Sequence, residues 1–292
     1  MNGSHTVSLQ TSRTTYRQPA ILKAAFTRSL PGMVLLAVLI AIALGGCATT
    51  AEDEDPKQTM SAPQLYKEAN RVMKDGDYEL AIEYLESLES RFPFGKYAPQ
   101  AQLETAYAYY KFDEYDNAIA AANRFIKLHP THKNVDYAYY LRGLASFHKK
   151  DTALDAIAPQ DPSLRDPSAA RESFQYFAEL VKKFPESKYA ADAIQRMKFQ
   201  RNTLAQHEVN VAHYYMKHGA YVAVVNRAKY VIENYSQTPA VPDALNLMAS
   251  AYKKLKMHDL ALDAEMILKK NYPDYQAGKS QPAADEESNA GG

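Results

Sequence analysis

The chain has 292 residues, 34 basic and 34 acidic side chains, 46% hydrophobic residues, 22 tyrosines, one cysteine and no tryptophan. Zero net charge argues against a general nucleic-acid binder, and a lone cysteine excludes an intrachain disulfide framework or a Cys-rich zinc site. Only 11 glycines are present, which disfavours Rossmann-like and other Gly-rich phosphate chemistry.

Residues 1–46 hold Arg13, Arg17, Lys23 and Arg28 but neither Asp nor Glu. The apolar run Met33 to Leu44 leads into Gly45, Gly46 and Cys47. A basic start, a short apolar core and small residues before a break describe an export signal. The run is 12 residues long, whereas a bilayer-spanning helix needs roughly 20. Leu44-Gly45-Gly46-Cys47 resembles the bacterial lipobox, where cleavage precedes the cysteine and its sulfur is acylated. Cys47 is thus expected to carry diacylglycerol and an N-acyl chain, each buried CH₂ contributing about 0.8 kcal/mol of membrane affinity. Ala48 follows in place of the Asp that marks inner-membrane retention in many such proteins, so the periplasmic leaflet of the outer membrane is expected. Removing residues 1–46 leaves 30 basic and 34 acidic groups. Residues 47–62 read as the acylated cysteine and a flexible tether, and residues 276–292 as a disordered tail.

Between them the helical period dominates, and prolines punctuate it. An aromatic or His residue precedes Pro93, Pro130, Pro185 and Pro273, and Tyr235-Ser236 takes the same place once without proline. Fifteen residues before each boundary stand Tyr78, Tyr115, Ala170, Tyr221 and His258. Three further on come Ala81, Ala118, Ser173, Val224 and Ala261. A second small-residue series is Ala69, Ala106, Gly143, Ala212 and Ala249. Boundary spacings of 37 recur, enlarged by 18 and by 14 in the middle of the chain. The first insertion, residues 151–168, holds Pro159, Pro162 and Pro167 and must be a loop. The second lengthens a helix from Lys188 to Lys217, which has neither Gly nor Pro. The pattern resembles the tetratricopeptide repeat. It predicts an all-α chain, a right-handed α-solenoid of five helix pairs, each with a helix A followed by a helix B.

Catalytic signatures are weak. His207, His213 and His218 share a helix, but spacings of six and five do not set metal ligands on one face. Gly278-Lys279-Ser280 ends like a phosphate loop, yet Pro273 stands where the first Gly is required. No metal, cofactor or enzymatic activity is expected.

A solenoid presents a continuous concave surface built from its A helices. Groove-facing positions map to Tyr66, Asn70, Met73 and Lys74, then Leu103, Tyr107, Tyr110 and Lys111, then Tyr137, Tyr140 and Phe147. Tyr109, Tyr215 and Tyr252 fall at packing positions. Amphipathic rings suit peptide recognition because they give contact area at little entropy cost. Charge is polarised as well: residues 62–93 carry four basic and seven acidic groups, residues 186–230 seven basic and three acidic.

The segments Arg91 to Gly95 (RFPFG), Ala108 to Lys111 (AYYK), Arg142-Gly143-Leu144, Arg165-Asp166-Pro167 and Gly219 to Arg227 (GAYVAVVNR) narrow the resemblance. Together they are similar to the BamD family, lipoproteins of the β-barrel assembly machinery. That resemblance implies a scaffold without a reaction of its own. Residues 63–131, repeats 1–2, would offer a groove to unfolded outer-membrane proteins. Residues 132–275, repeats 3–5, would dock on the periplasmic POTRA region of BamA and hold BamC- and BamE-like lipoproteins. Asn226 and Arg227 match a segment whose Arg is associated with the BamA contact. Arg227 lies two positions past Val225, about 200° round the helix, so its guanidinium is expected to point outward, free for a partner carboxylate. The competing reading is a periplasmic repeat adaptor that coordinates peptidoglycan enzymes.

Overall fold

The computed structural model describes residues 56–149 and 160–277. The export signal, Cys47 and nearly all of the tail lie outside them. Among the described residues there are ten α-helices: α1 (Ala62–Lys74), α2 (Tyr78–Arg91), α3 (Ala98–Lys111), α4 (Tyr115–Leu128), α5 (Val135–His148), α6 (Ser168–Lys183), α7 (Ala190–Lys217), α8 (Tyr221–Asn234), α9 (Val241–Lys254) and α10 (His258–Asn271). Short 3-10 turns occupy Pro56–Gln58 and Pro162–Leu164. No helix among these residues is long and apolar enough to cross a membrane.

Each helix packs on the next, and α3 also meets α5 and α7 meets α9, so the A helices form one layer and the B helices another. This is the expected solenoid of five pairs. The starts of α2 and α4 (78 and 115) and of α8 and α10 (221 and 258) are both 37 apart. Small residues sit where helices cross: Ala69, Ala106, Gly143, Ala212 and Ala249 are buried, as are Ala81, Ala118, Ser173, Val224 and Ala261. Leu85, Leu88, Phe125, Phe177, Leu180 and Val231 fill the space beside them.

Local chemistry starts and stops the helices at these points. The A-to-B turns of pairs 1, 2, 4 and 5 each place a residue two positions before helix B at positive φ: Gly76 (83°), Asp113 (60°), Gly219 (73°) and Lys256 (61°). The next amide then reaches back to a carbonyl five residues earlier, as from Asp77 to Val72 at 2.9 Å and from Met257 to Tyr252 at 2.9 Å. That is the helix-ending arrangement in which a left-handed residue satisfies the last carbonyls. In the B-to-A turns Gly95, Ser187 and Thr238 each donate a backbone bond three residues back, at 3.0 Å in all three.

Residues 56–61, expected to belong to a free tether, are instead held on α2. Lys57 Nζ lies 2.7 Å from Glu83, Arg91 Nη1 donates to the Lys57 carbonyl, and the Ser61 amide donates to Gln64 Oε1 at 2.8 Å, closing the start of α1. The core also shows no break between residues 131 and 132, since Leu103 and Phe125 pack with Val135 in one cluster. The change comes in α7. One cluster ends at Ala193 and another begins at Ala205, with buried Gln200 and Leu204 between them. Its 28 residues make a rod about 42 Å long at 1.5 Å per residue. The two insertions meet along this rod. His207 Nδ1 is 2.9 Å from the Ser163 carbonyl, and Asn210 Nδ2 donates to Ser163 Oγ at 2.9 Å. The end of the inserted loop is therefore clamped on the extra helical turns through His207 and Asn210.

The crossing at Gly143 gives a direct stability test. A Cβ at Gly143 would lie 2.5 Å from Phe177 Cε1, and the Gly143 carbonyl also accepts from Ser173 Oγ at 3.1 Å. Gly143→Ala is expected to lower stability by about 1–3 kcal/mol through overpacking, with Phe177→Leu in the same background restoring part of it. Denaturant unfolding curves that coincide with the unsubstituted protein would show that the crossing has slack.

Candidate functional site

The A helices carry a stripe of rings away from the small-residue crossings. Tyr66 of α1 stacks on Tyr97 at 5.0 Å, and Tyr107 of α3 meets Tyr78 edge-on at 6.3 Å. Tyr137 and Tyr140 of α5 pack on Tyr189, at 5.3 and 4.7 Å, and Phe147 packs on Phe199 at 5.8 Å. Between α3, the start of α5 and the segment entering α7 lies a cleft of about 300 Å³, lined by Gln100, Leu103, Glu104, Tyr107, Asn134, Tyr137, Lys188 and Tyr189.

Polar groups fix these rings. The Tyr66 hydroxyl donates to Glu104 Oε1 at 2.8 Å, and Gln100 Nε2 donates to the same carboxylate at 2.8 Å. The Tyr140 hydroxyl donates to Asp192 Oδ2 at 2.6 Å, which Arg196 Nε also contacts at 2.6 Å. Arg196 in turn lies 5.1 Å from the centre of the Phe147 ring. Burial, followed by the neighbouring carboxylate, raises the phenols of Tyr66 and Tyr140 to about 12. Burial, followed by the surrounding phenols, raises Tyr107 and Tyr137. The phenols are therefore neutral at physiological pH. Glu104 on one side and Lys188 on the other, its ammonium 4.9 Å from the Tyr189 ring, give the cleft charges of both signs. Such a surface suits an extended chain bearing aromatic side chains.

Not every expected groove residue is available there. Leu103 is only 3% exposed and belongs to the core with Phe125 and Val135, so it forms the floor of the cleft. Tyr110 is packed between repeats against Tyr115 and His148, at 6.0 Å from each. Met73 packs on the core of the first pair, Tyr66 beside it. Tyr109 and Tyr215 pack on the core as expected. Tyr97 and Tyr189, absent from the expected set, share one repeat position, four residues after Pro93 and Pro185. That coincidence was available in the sequence. Phe199 lies in the extra turns of α7, where the repeat register offers no guide.

Arg227 requires a correction. Its Nη1 donates at 2.8 Å to Glu208 Oε2 on α7, and Glu208 is 3% exposed. Arg171 Nη2 stands 3.7 Å from the other carboxylate oxygen. The core face of α8 is Val224, Ala228 and Val231, not Val225, so Arg227 lies on the flank of that face. Its hydrogen bond to Glu208 raises its already high pKa. The side chain remains 44% exposed, and Asn226 beside it is exposed. Arg142 is also structural: it donates to Asn123 at 2.8 Å and Glu179 at 2.7 Å with its guanidinium 4.1 Å from the Tyr176 ring centre.

Fold and site together describe a helical repeat protein with a ring-lined face. Comparison with known proteins agrees and is more specific. Residues 58–267 match the family YfiO, described as outer membrane lipoprotein. The chain is 49% identical to outer membrane protein assembly factor BamD of Neisseria gonorrhoeae, over 82% of this chain and 91% of that one. It is 37% identical to BamD of Xylella fastidiosa (strain Temecula1), over 85% and 86%, and 32% identical to BamD of Vibrio cholerae, over 84% and 98%. The chain belongs to this BamD family of outer-membrane lipoproteins.

Replacing Arg227 with Met leaves the buried Glu208 carboxylate without its near donor. A loss of about 1–3 kcal/mol is expected, and Glu208→Gln in the same background should recover part of it. Equal urea midpoints for Arg227→Met and the unsubstituted protein would show that the pair does not hold α8 to α7.

Proposed function

We infer that this chain is a non-catalytic scaffold of outer-membrane protein assembly, anchored on the periplasmic face of the outer membrane through acylated Cys47. Family membership supports the assembly role, and the lipobox with the chain's only cysteine supports the anchor. The observation that carries the substrate reading is the cleft where Tyr107, Tyr137 and Tyr189 converge between Glu104 and Lys188. Unfolded outer-membrane proteins are extended chains rich in aromatic side chains, and preformed rings bind such chains without first losing their own freedom. The half of the solenoid beyond α7, with exposed Asn226 and half-exposed Arg227, is assigned to docking on the POTRA region of BamA and to BamC- and BamE-like lipoproteins.

Fluorescence anisotropy with labelled peptides ending in an aromatic residue tests the cleft. Tyr107→Ala should weaken binding by about 0.5–1.5 kcal/mol, or roughly two- to tenfold, with little change in melting temperature. Tyr110→Ala should instead lower the melting temperature, because that ring is packed between repeats. Undiminished peptide affinity in Tyr107→Ala would remove the cleft from the binding surface.

A further inference from the structure

The residue following each repeat boundary is Phe94, Thr131, Glu186, Gln237 or Asp274 in turn. All five are exposed and four are polar. The turn itself does not need the phenylalanine. Gly95 bonds to the Phe92 carbonyl just as Ser187 bonds to Phe184 and Thr238 to Tyr235, with any residue between. Yet Phe94 is 100% exposed, the most exposed large apolar side chain described. Its loop is basic: Arg91 and Lys96 flank it, and no acidic residue lies between positions 90 and 97. A fully solvated Phe between two cations is costly to leave in water and is the composition of an interfacial membrane contact.

The loop's place relative to the N-terminus adds a second, independent argument. Arg91 Nη1 donates to the Lys57 carbonyl, which fixes the turn Pro56–Gln58 beside the end of α2. Cys47 lies ten residues before Lys57, a span of at most about 35 Å even when fully extended. An acyl group on Cys47 therefore holds this end of the solenoid near the bilayer surface. We propose that residues 92–97 form a membrane-contact loop, in which Phe94 enters the interfacial layer of a phospholipid leaflet while Arg91 and Lys96 face lipid phosphates. The proposal rests on the lipid-anchored reading above and gives the anchor a second point of attachment. It fixes the orientation of the first repeat on the membrane, which a single acylated residue on a chain cannot do.

Because the chain has no tryptophan, the F94W substitution supplies a single fluorophore. The protein is purified from membranes of producing cells, its Cys47 adduct is identified by mass spectrometry, and it is reconstituted on phosphatidylethanolamine and phosphatidylglycerol vesicles with brominated acyl chains. An unmodified Cys47 would refute the anchor reading alone. The same measurement is then made after coupling this only thiol to a maleimide-bearing lipid in the vesicles. In either case the F94W emission is expected to shift to shorter wavelength and to be quenched several-fold relative to unbrominated vesicles. The Y214W variant, placed at an exposed ring of α7, should stay unquenched. F94W emission at the wavelength of a water-exposed indole and insensitive to bromine would overturn the proposal. Equal quenching of Y214W would overturn it too, because the contact would not be confined to the loop. Protection of F94W only on adding BamA periplasmic region would reassign Phe94 to a protein contact and equally refute it.

Discussion

The close approach of helices at small residues is the constraint on which the rest of this molecule depends. At Gly143 the ring of Phe177 occupies space that even a methyl group would need. Alanines take the corresponding places in the other pairs, and large apolar side chains fill the gaps alongside. Close crossing sets the tilt between A and B helices, and repetition of that tilt carries the A helices into one layer. The tyrosine stripe follows from this geometry. Rings facing away from the crossing gather on the shared surface of successive A helices, where they pack on one another and the Tyr66 and Tyr140 hydroxyls donate to carboxylates.

The long helix α7 is where the repetition is interrupted. Its first turns continue the stack on α6, its last turns start a second core with α8 and α9, and the turn Pro162–Leu164 is clamped across the extra length. A helix extension and a loop insertion in different repeats thus meet through the hydrogen bonds of His207 and Asn210 to Ser163. Glu208, buried in the same stretch and held by Arg227, adds an ionic tie between α7 and α8. The two core clusters are joined through this one continuous helix.

Much of the fold was legible because a repeat states its own register several times. The repeat positions fifteen residues before each boundary coincide with the starts of α2, α4, α8 and α10, while α6 begins two residues before its own, at Ser168. The site was less legible, for reasons that particular residues show. Leu103 and Tyr110 lie on the expected stripe, but each also borders the next repeat, and a single-helix pattern does not reveal how deeply the neighbour covers them. Counting from Val225 turns Arg227 outward, whereas the buried face centres on Val224 and Ala228; one position, about 100° of rotation, brings the cation to Glu208. The positive-φ turns at Asp113 and Lys256 carry no glycine to announce them, unlike Gly76 and Gly219.

The proposed surface for unfolded outer-membrane proteins is the ring-lined face of α3, α5 and the start of α7. Site-specific photo-crosslinking in living cells tests this most directly. A photoreactive phenylalanine analogue placed at Gln100, on the rim of the cleft, should crosslink to newly exported outer-membrane proteins before they assemble, while the same analogue at Leu260, exposed on α10, should not. Crosslinking to those substrates at Leu260 with none at Gln100 would contradict the account.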